Sequence, residues 1–196
     1  MDIDYNLIQK LHDSSGGNGE GSTLHFGPQE VSGKEEQLRF KEECLRKYSP
    51  SVLLETGTNK AEFCYLSKLI LPTCTIHTFD LNDWSLDCVN AVCDYFNEEF
   101  VTFHKGDSQS TLSVFNPPVP IDFAHVDGGH DYNSCLSDLT NCDRLNIPTI
   151  LVDDYRGIPS VGAAMEEFCK TFPYSLISQD NASKDDSRGL ALLQKK

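Results

Sequence analysis

The chain has 196 residues, enough to bury one full hydrophobic core without disulfides or metal staples, and its length fits a single domain. A balance of 16 basic against 30 acidic residues gives a net charge of −14, which opposes association with nucleic-acid phosphates or anionic lipid. No apolar stretch approaches the length of a membrane span and no basic-then-apolar leader opens the sequence, so a cytoplasmic protein is expected, with neither nucleic acid nor membrane as partner.

Residues 1–32 read as an arm: a short amphipathic piece with Leu7, Ile8 and Leu11, then the tether SSGGNGEGS, whose glycines and serines disfavour a fixed conformation. From residue 33 to 196 the composition is that of a packed domain. Lys34 to Tyr48 is a helix with Leu38 and Leu45 on one side, stopped by Pro50. SVLLETG from Ser51 and TIHTFD from Thr75 are strands, and Ala61, Cys64, Tyr65, Leu69 and Ile70 recur between them at helical spacing up to Pro72. A helix from Trp84 buries Val89, Val92, Cys93 and Phe96, and the strand VTFHKGD follows. Next come the strand IDFAHVD, a helix through Leu136 and Leu139, and the strand TILVDD. A last helix fits Val161, Met165, Phe168, Cys169 and Phe172, capped by Ser160, before YSLISQ and GLALLQ close the chain around the turn NASKDDSRG. Alternating strands and helices require crossover connections, so the expected fold is α/β: a doubly wound, mostly parallel, seven-stranded Rossmann-like sheet with an antiparallel C-terminal edge strand.

Eight cysteines lie scattered from Cys44 to Cys169, most of them within apolar patterns, and no pair has the two-residue gap of a zinc or redox motif. Reduced thiols packed as small hydrophobes are expected.

Chemistry in an open parallel sheet collects where the strands stop. IDFAHVDGGHDY ends its strand on Asp127 with His130 three residues on, and TILVDDY ends on Asp153 and Asp154, so neighbouring strands would point three hard oxygen ligands into one crevice. Glu55-Thr56-Gly57-Thr58 places a glycine at the first strand-to-helix turn, where backbone passes close to a ligand. The dinucleotide fingerprint wants three spaced glycines and only Gly57 is present, with Ala61 further along, which disfavours a nicotinamide cofactor. Asp80 ends the second strand, where an acid accepts hydrogen bonds from two ribose hydroxyls, and Gly106-Asp107-Ser108 ends the third, where an adenine edge would lie. Trp84 either flanks that adenine or opens the buried stripe of its helix. Each aspartate alone could cap a helix or face solvent, and His104 and His125 read as satisfied sheet residues.

The ordered set LLETGT, TFD, KGDSQSTL, VDGGHDY and LVDDY resembles the class I methyltransferases that use S-adenosylmethionine, and within them the small metal-dependent O-methyltransferases of the catechol and macrolide-sugar type. The resemblance implies that Glu55, Gly57 and Thr58 line the methionine end of the cofactor, that Asp80 holds the ribose, and that Asp107 and Ser108 border the adenine. It also implies that Asp127, Asp153 and Asp154 hold a divalent ion, usually Mg2+, that His130 is the general base, and that Asp127 acts both in catalysis and beside the cofactor. Family habit admits a homodimer. The sequence departs from the family at Ala61, where a glycine is usual and the added methyl group calls for a negative φ, and at Gly129, where relatives often carry another acid. The implied reaction is in-line displacement at a sulfonium methyl by an acceptor oxygen held about 3 Å away and deprotonated with the help of the ion and His130. The acceptor would be a small hydroxylated molecule. Two rivals remain open at this level: a non-catalytic nucleoside-binding module, and another Rossmann-like enzyme such as a dehydrogenase or metal-dependent hydrolase.

Overall fold

The computed structural model describes residues 31–180 and 189–196. The arm expected over residues 1–32 therefore lies outside the described residues but for its last two, which open helix α1 (Val31–Tyr48). Leu38 and Leu45 face the core from α1, Arg46 and Lys47 sit in its last turn where the helix dipole favours cations, and Ser49 ends it at φ 43° just before Pro50.

Strands β1 (Val52–Thr56), β2 (Thr75–Asp80), β3 (Val101–Lys105), β4 (Phe123–Val126) and β5 (Thr149–Val152) run parallel, joined through helices α2 (Glu62–Ile70), α3 (Asp83–Phe96), α4 (Ser108–Val114) and α5 (Tyr132–Arg144). After α6 (Pro159–Thr171), β6 (Tyr174–Gln179) and β7 (Ala191–Lys195) complete a seven-stranded sheet of order β3-β2-β1-β4-β5-β7-β6. The α/β, doubly wound, mostly parallel architecture is the expected one. The C-terminal strand pair forms the expected antiparallel edge, with β7 running antiparallel between β5 and β6 and β6 outermost. Burial gives the reason. Ala191, Leu192 and Leu193 are apolar on both faces and need cover on both, whereas β6 leaves Leu176 and Ile177 exposed as an edge strand can.

Each face of the sheet holds its own apolar layer. Leu53, Ile76, Phe123 and Leu151 pack under α1, α2 and α3, and Leu54, Phe79, Ala124, Val126, Ile150 and Val152 pack under α4, α5 and α6. Helix α4 was not anticipated, because only Leu112 of its seven residues is buried and no stripe announces it; Asp107 caps it by accepting from Gln109 N at 3.0 Å. Ser160 does not cap α6. The cap position belongs to Ile158 with Pro159 in the first turn, and the Ser160 hydroxyl instead donates to the His130 carbonyl at 2.6 Å, buttoning α6 to the loop after β4. Phe172 follows α6 rather than sitting within it. All eight cysteines carry free thiols, seven of them buried.

Candidate active site at the switch between β1 and β4

The strand order reverses between β1 and β4, the place where open α/β sheets take ligands beyond the carboxyl ends of their strands. Gly57 makes its wall: at φ 81° its N–H donates to the Phe79 carbonyl at 2.9 Å, and a Cβ in its place would lie 1.8 Å from the Asp127 carbonyl oxygen. Only glycine lets the β1–α2 loop press this close to the end of β4. Ala61, closing that loop, is buried with φ 57°, the left-handed region rather than the negative φ that would make its methyl group comfortable.

Asp80 organises the loop from below. One carboxylate oxygen accepts from Asn59 N at 2.8 Å, and the other from Asn82 N at 2.8 Å and Asn82 Nδ2 at 3.0 Å. Leu81 beside it is 65% exposed, an apolar face at the rim. Trp84 packs partly against the core layer under α3, and Asp107 is exposed at the head of α4.

Glu55 and Thr58 are buried at the base of the loop. The Thr58 and Thr78 hydroxyls meet at 2.6 Å, Thr78 donates to Glu55 Oε2 at 2.8 Å, Cys64 Sγ donates to the same oxygen at 3.4 Å, and Glu55 Oε1 lies 3.3 Å from His125 Nδ1. The Glu55 carboxylate thus acts on the loop through Thr78 and Thr58. His125, stacked on Phe63 with ring centroids 4.2 Å apart, reaches Asp153 with Nε2 at 3.6 Å, and Lys41 Nζ from α1 approaches Asp153 Oδ2 to 3.0 Å. A buried chain of ionisable side chains, Glu55–His125–Asp153–Lys41, runs along one face of the sheet. Burial and the Lys41 charge both disfavour protonated His125, yet Asp153, Glu55 and Asp127 outweigh them and raise its pKa. Burial likewise works against ionised Asp153, and Lys41 and His125 overcome it, holding that carboxyl below its usual range.

The three expected metal ligands fall in two overlapping clusters that share Asp127. Asp127 clusters with His125 and Asp153 on one side and with His130 and Asp154 on the other. Asp153 and Asp154 follow the last residue of β5, and Asp154 adopts φ 60°. His130 Nε2, on a half-exposed side chain, lies 3.2 Å from Asp154 Oδ2 and 3.8 Å from Asp127 Oδ1.

Lys41 and Asp138 are among the buried ionisable groups that sequence reasoning missed. Lys41 sits in the stripe of Leu38 and Leu45, and Asp138 in the stripe of Cys135, Leu139 and Cys142 on α5. A charged residue at a core position of an amphipathic helix was the available signal. Asp138 is fully buried beneath Gly128, whose Cβ would meet Asp138 Oδ2 at 2.7 Å and Thr56 Oγ1 at 3.2 Å. Ser108 and Thr56 are its polar neighbours, but neither carboxyl oxygen completes a hydrogen bond among the described residues, and burial pushes its pKa up to about 6.

A glycine-tight turn after β1, an acid closing β2 and a titratable cluster beyond β4, all at a topological switch point, define a Rossmann-like nucleoside-cofactor domain. Residues 54–155, just over half of the chain, match the family model described as a methyltransferase domain, and the chain belongs to that family. No curated protein matches at the level of sequence. Among solved structures, the O-methyltransferase TomG from Streptomyces achromogenes, involved in tomaymycin synthesis and bound to SAM, is similar with TM-score 0.74 and 14% identity over 100% of this chain and 91% of that one. An O-methyltransferase from Bacillus cereus in complex with SAH matches with TM-score 0.70 and 14% identity, covering 100% and 93%. The N-methyltransferase NodS from Bradyrhizobium japonicum WM9, in complex with S-adenosyl-l-homocysteine, matches with TM-score 0.65 and 14% identity, covering 97% and 98%. At these identities the likeness establishes the fold. Among the described residues no helix is long and apolar enough to cross a membrane.

Proposed function

We propose that this chain transfers a methyl group from S-adenosylmethionine to a hydroxyl oxygen of a small molecule. The observation that carries the reading is the Gly57 loop held against the end of β4, which leaves a cradle bordered by Asp80 on one side and by Asp127, His130 and Asp154 on the other. The Asp80 carboxylate, already oriented by three donors, keeps one lone pair, on Oδ2, for a ribose hydroxyl, and exposed Leu81 offers an apolar platform for a base. Asp107 and Ser108 at the head of α4 would border the adenine, and Gly57 with Thr58 the methionine end.

In the resemblance, Mg2+ held by Asp127, Asp153 and Asp154 polarises the acceptor oxygen. That three-carboxylate set does not fit here, because Asp153 Oδ2 already faces the Lys41 ammonium at 3.0 Å. The proton and methyl movements are carried by side chains. His130, its Nε2 held by the Asp154 contact at 3.2 Å, takes the acceptor proton at the other ring nitrogen, Nδ1, the acceptor oxygen bonds to the methyl carbon, and the carbon–sulfur bond breaks to leave a neutral thioether. The acidic surface disfavours a nucleic-acid acceptor, and the free thiols suit the reducing cytoplasm.

Calorimetric titration with S-adenosylmethionine, with and without Mg2+, tests the reading. Binding that is retained without the ion is expected; absence of binding in both arms overturns the methyltransferase assignment and leaves a different Rossmann-like activity.

A further inference from the structure

Lys41 is a charge in an apolar stripe, carried by a helix that lies outside the segment matched to the methyltransferase family. Its side chain is 11% exposed and that of Asp153 is 9% exposed, and Nζ meets Oδ2 at 3.0 Å. The second Asp153 oxygen is also engaged, accepting from Asp154 N at 2.8 Å.

A carboxylate that ligates a small divalent ion presents an oxygen to it at about 2.1 Å. An ion so bound at Asp153 Oδ2 would sit within about 5 Å of a full positive charge, in surroundings too buried for water to screen the repulsion. One Asp153 oxygen can serve the ammonium or the dication without penalty, not both.

We propose that Lys41 is the resident cation of this site: its ammonium takes the role of a divalent ion toward Asp153, and it makes the centre independent of metal. Lys41 touches neither donor nor acceptor in this arrangement and is a positioning residue. It fixes Asp153, Asp153 faces His125 Nε2, and His125 holds Glu55, which reaches the Thr78–Thr58 pair under the cofactor loop. The inference concerns this site alone and does not require that the ligand be S-adenosylmethionine.

Binding of Mn2+ to the full chain, followed by electron paramagnetic resonance and calorimetry without cofactor, tests it. The wild-type protein is expected to show no site tighter than about 1 mM. Lys41→Met, of similar shape and no charge, should acquire one site roughly tenfold tighter or more, because Asp153 is released. Adding Asp153→Asn to that variant should abolish the gain, and Lys41→Arg, which keeps the charge, should behave as wild type. A tight single Mn2+ site in the wild-type protein overturns the proposal whether or not the Met variant folds, and so does a folded Met variant whose affinity matches wild type. Failure to bind S-adenosylmethionine would sink the methyltransferase reading and leave this result untouched.

Discussion

Asp138→Asn separates the energetics of a buried neutral acid from those of the rest of the domain. Asp138 is fully buried on α5, and burial raises its pKa from the ordinary 3.8 to about 6. A group that holds its proton more tightly when folded favours folding most below about pH 4, and that contribution is lost as pH rises through 6. At 1.36 kcal/mol per unit, a displacement of about two units corresponds to about 3 kcal/mol. Asparagine has nearly the same shape and stays neutral throughout, so it lacks this slope. Urea unfolding of both proteins across about pH 4 to pH 7, analysed at matched m values, should show the variant gaining up to about 3 kcal/mol relative to wild type as pH increases. Comparing the two proteins cancels groups they share, such as Asp153 with its opposite shift. A midpoint difference that stays constant with pH would refute the assignment of Asp138 as a proton-retaining acid.

Ala61→Gly should be close to neutral. Relief of a left-handed alanine at φ 57° is worth about 1–2 kcal/mol. The lost buried methyl, at about 0.8 kcal/mol, and the added freedom of the unfolded glycine, at about 0.5–1 kcal/mol, offset it. Thermal unfolding within about 0.5 kcal/mol of wild type is the expected outcome, whereas Ala61→Val should lose about 2 kcal/mol or more. His130→Ala should depress turnover roughly 100-fold or more while cofactor affinity, read by calorimetry, stays within about twofold. Equal losses in both would remove His130 from the base role.

Every parallel strand was legible because each is a short β-rich run bounded by a turn, and the helices between them bury regular stripes. What escaped has identifiable physics. Helix α4 rests on a single buried leucine and an aspartate cap, too little periodicity to register. The order within the C-terminal pair, β7 inside and β6 outermost, rests on residues apolar on both faces of β7. The acidic ends of β4 and β5 are visible as chemistry, but the two overlapping clusters that share Asp127 follow only from the fold. Lys41 and Asp138 stood at core positions of stripes already recognised. Their identity announced a buried charge, and only the fold showed what each one faces.

The ion pair between α1 and β5 also constrains inheritance. A recombination event that exchanged everything before Ser51 would preserve all seven strands and the whole family-matched segment, yet it would strand an anion at the sheet's end unless the incoming helix delivered its own lysine or arginine. Descendants of this lineage should therefore gain or lose the two residues as a couple.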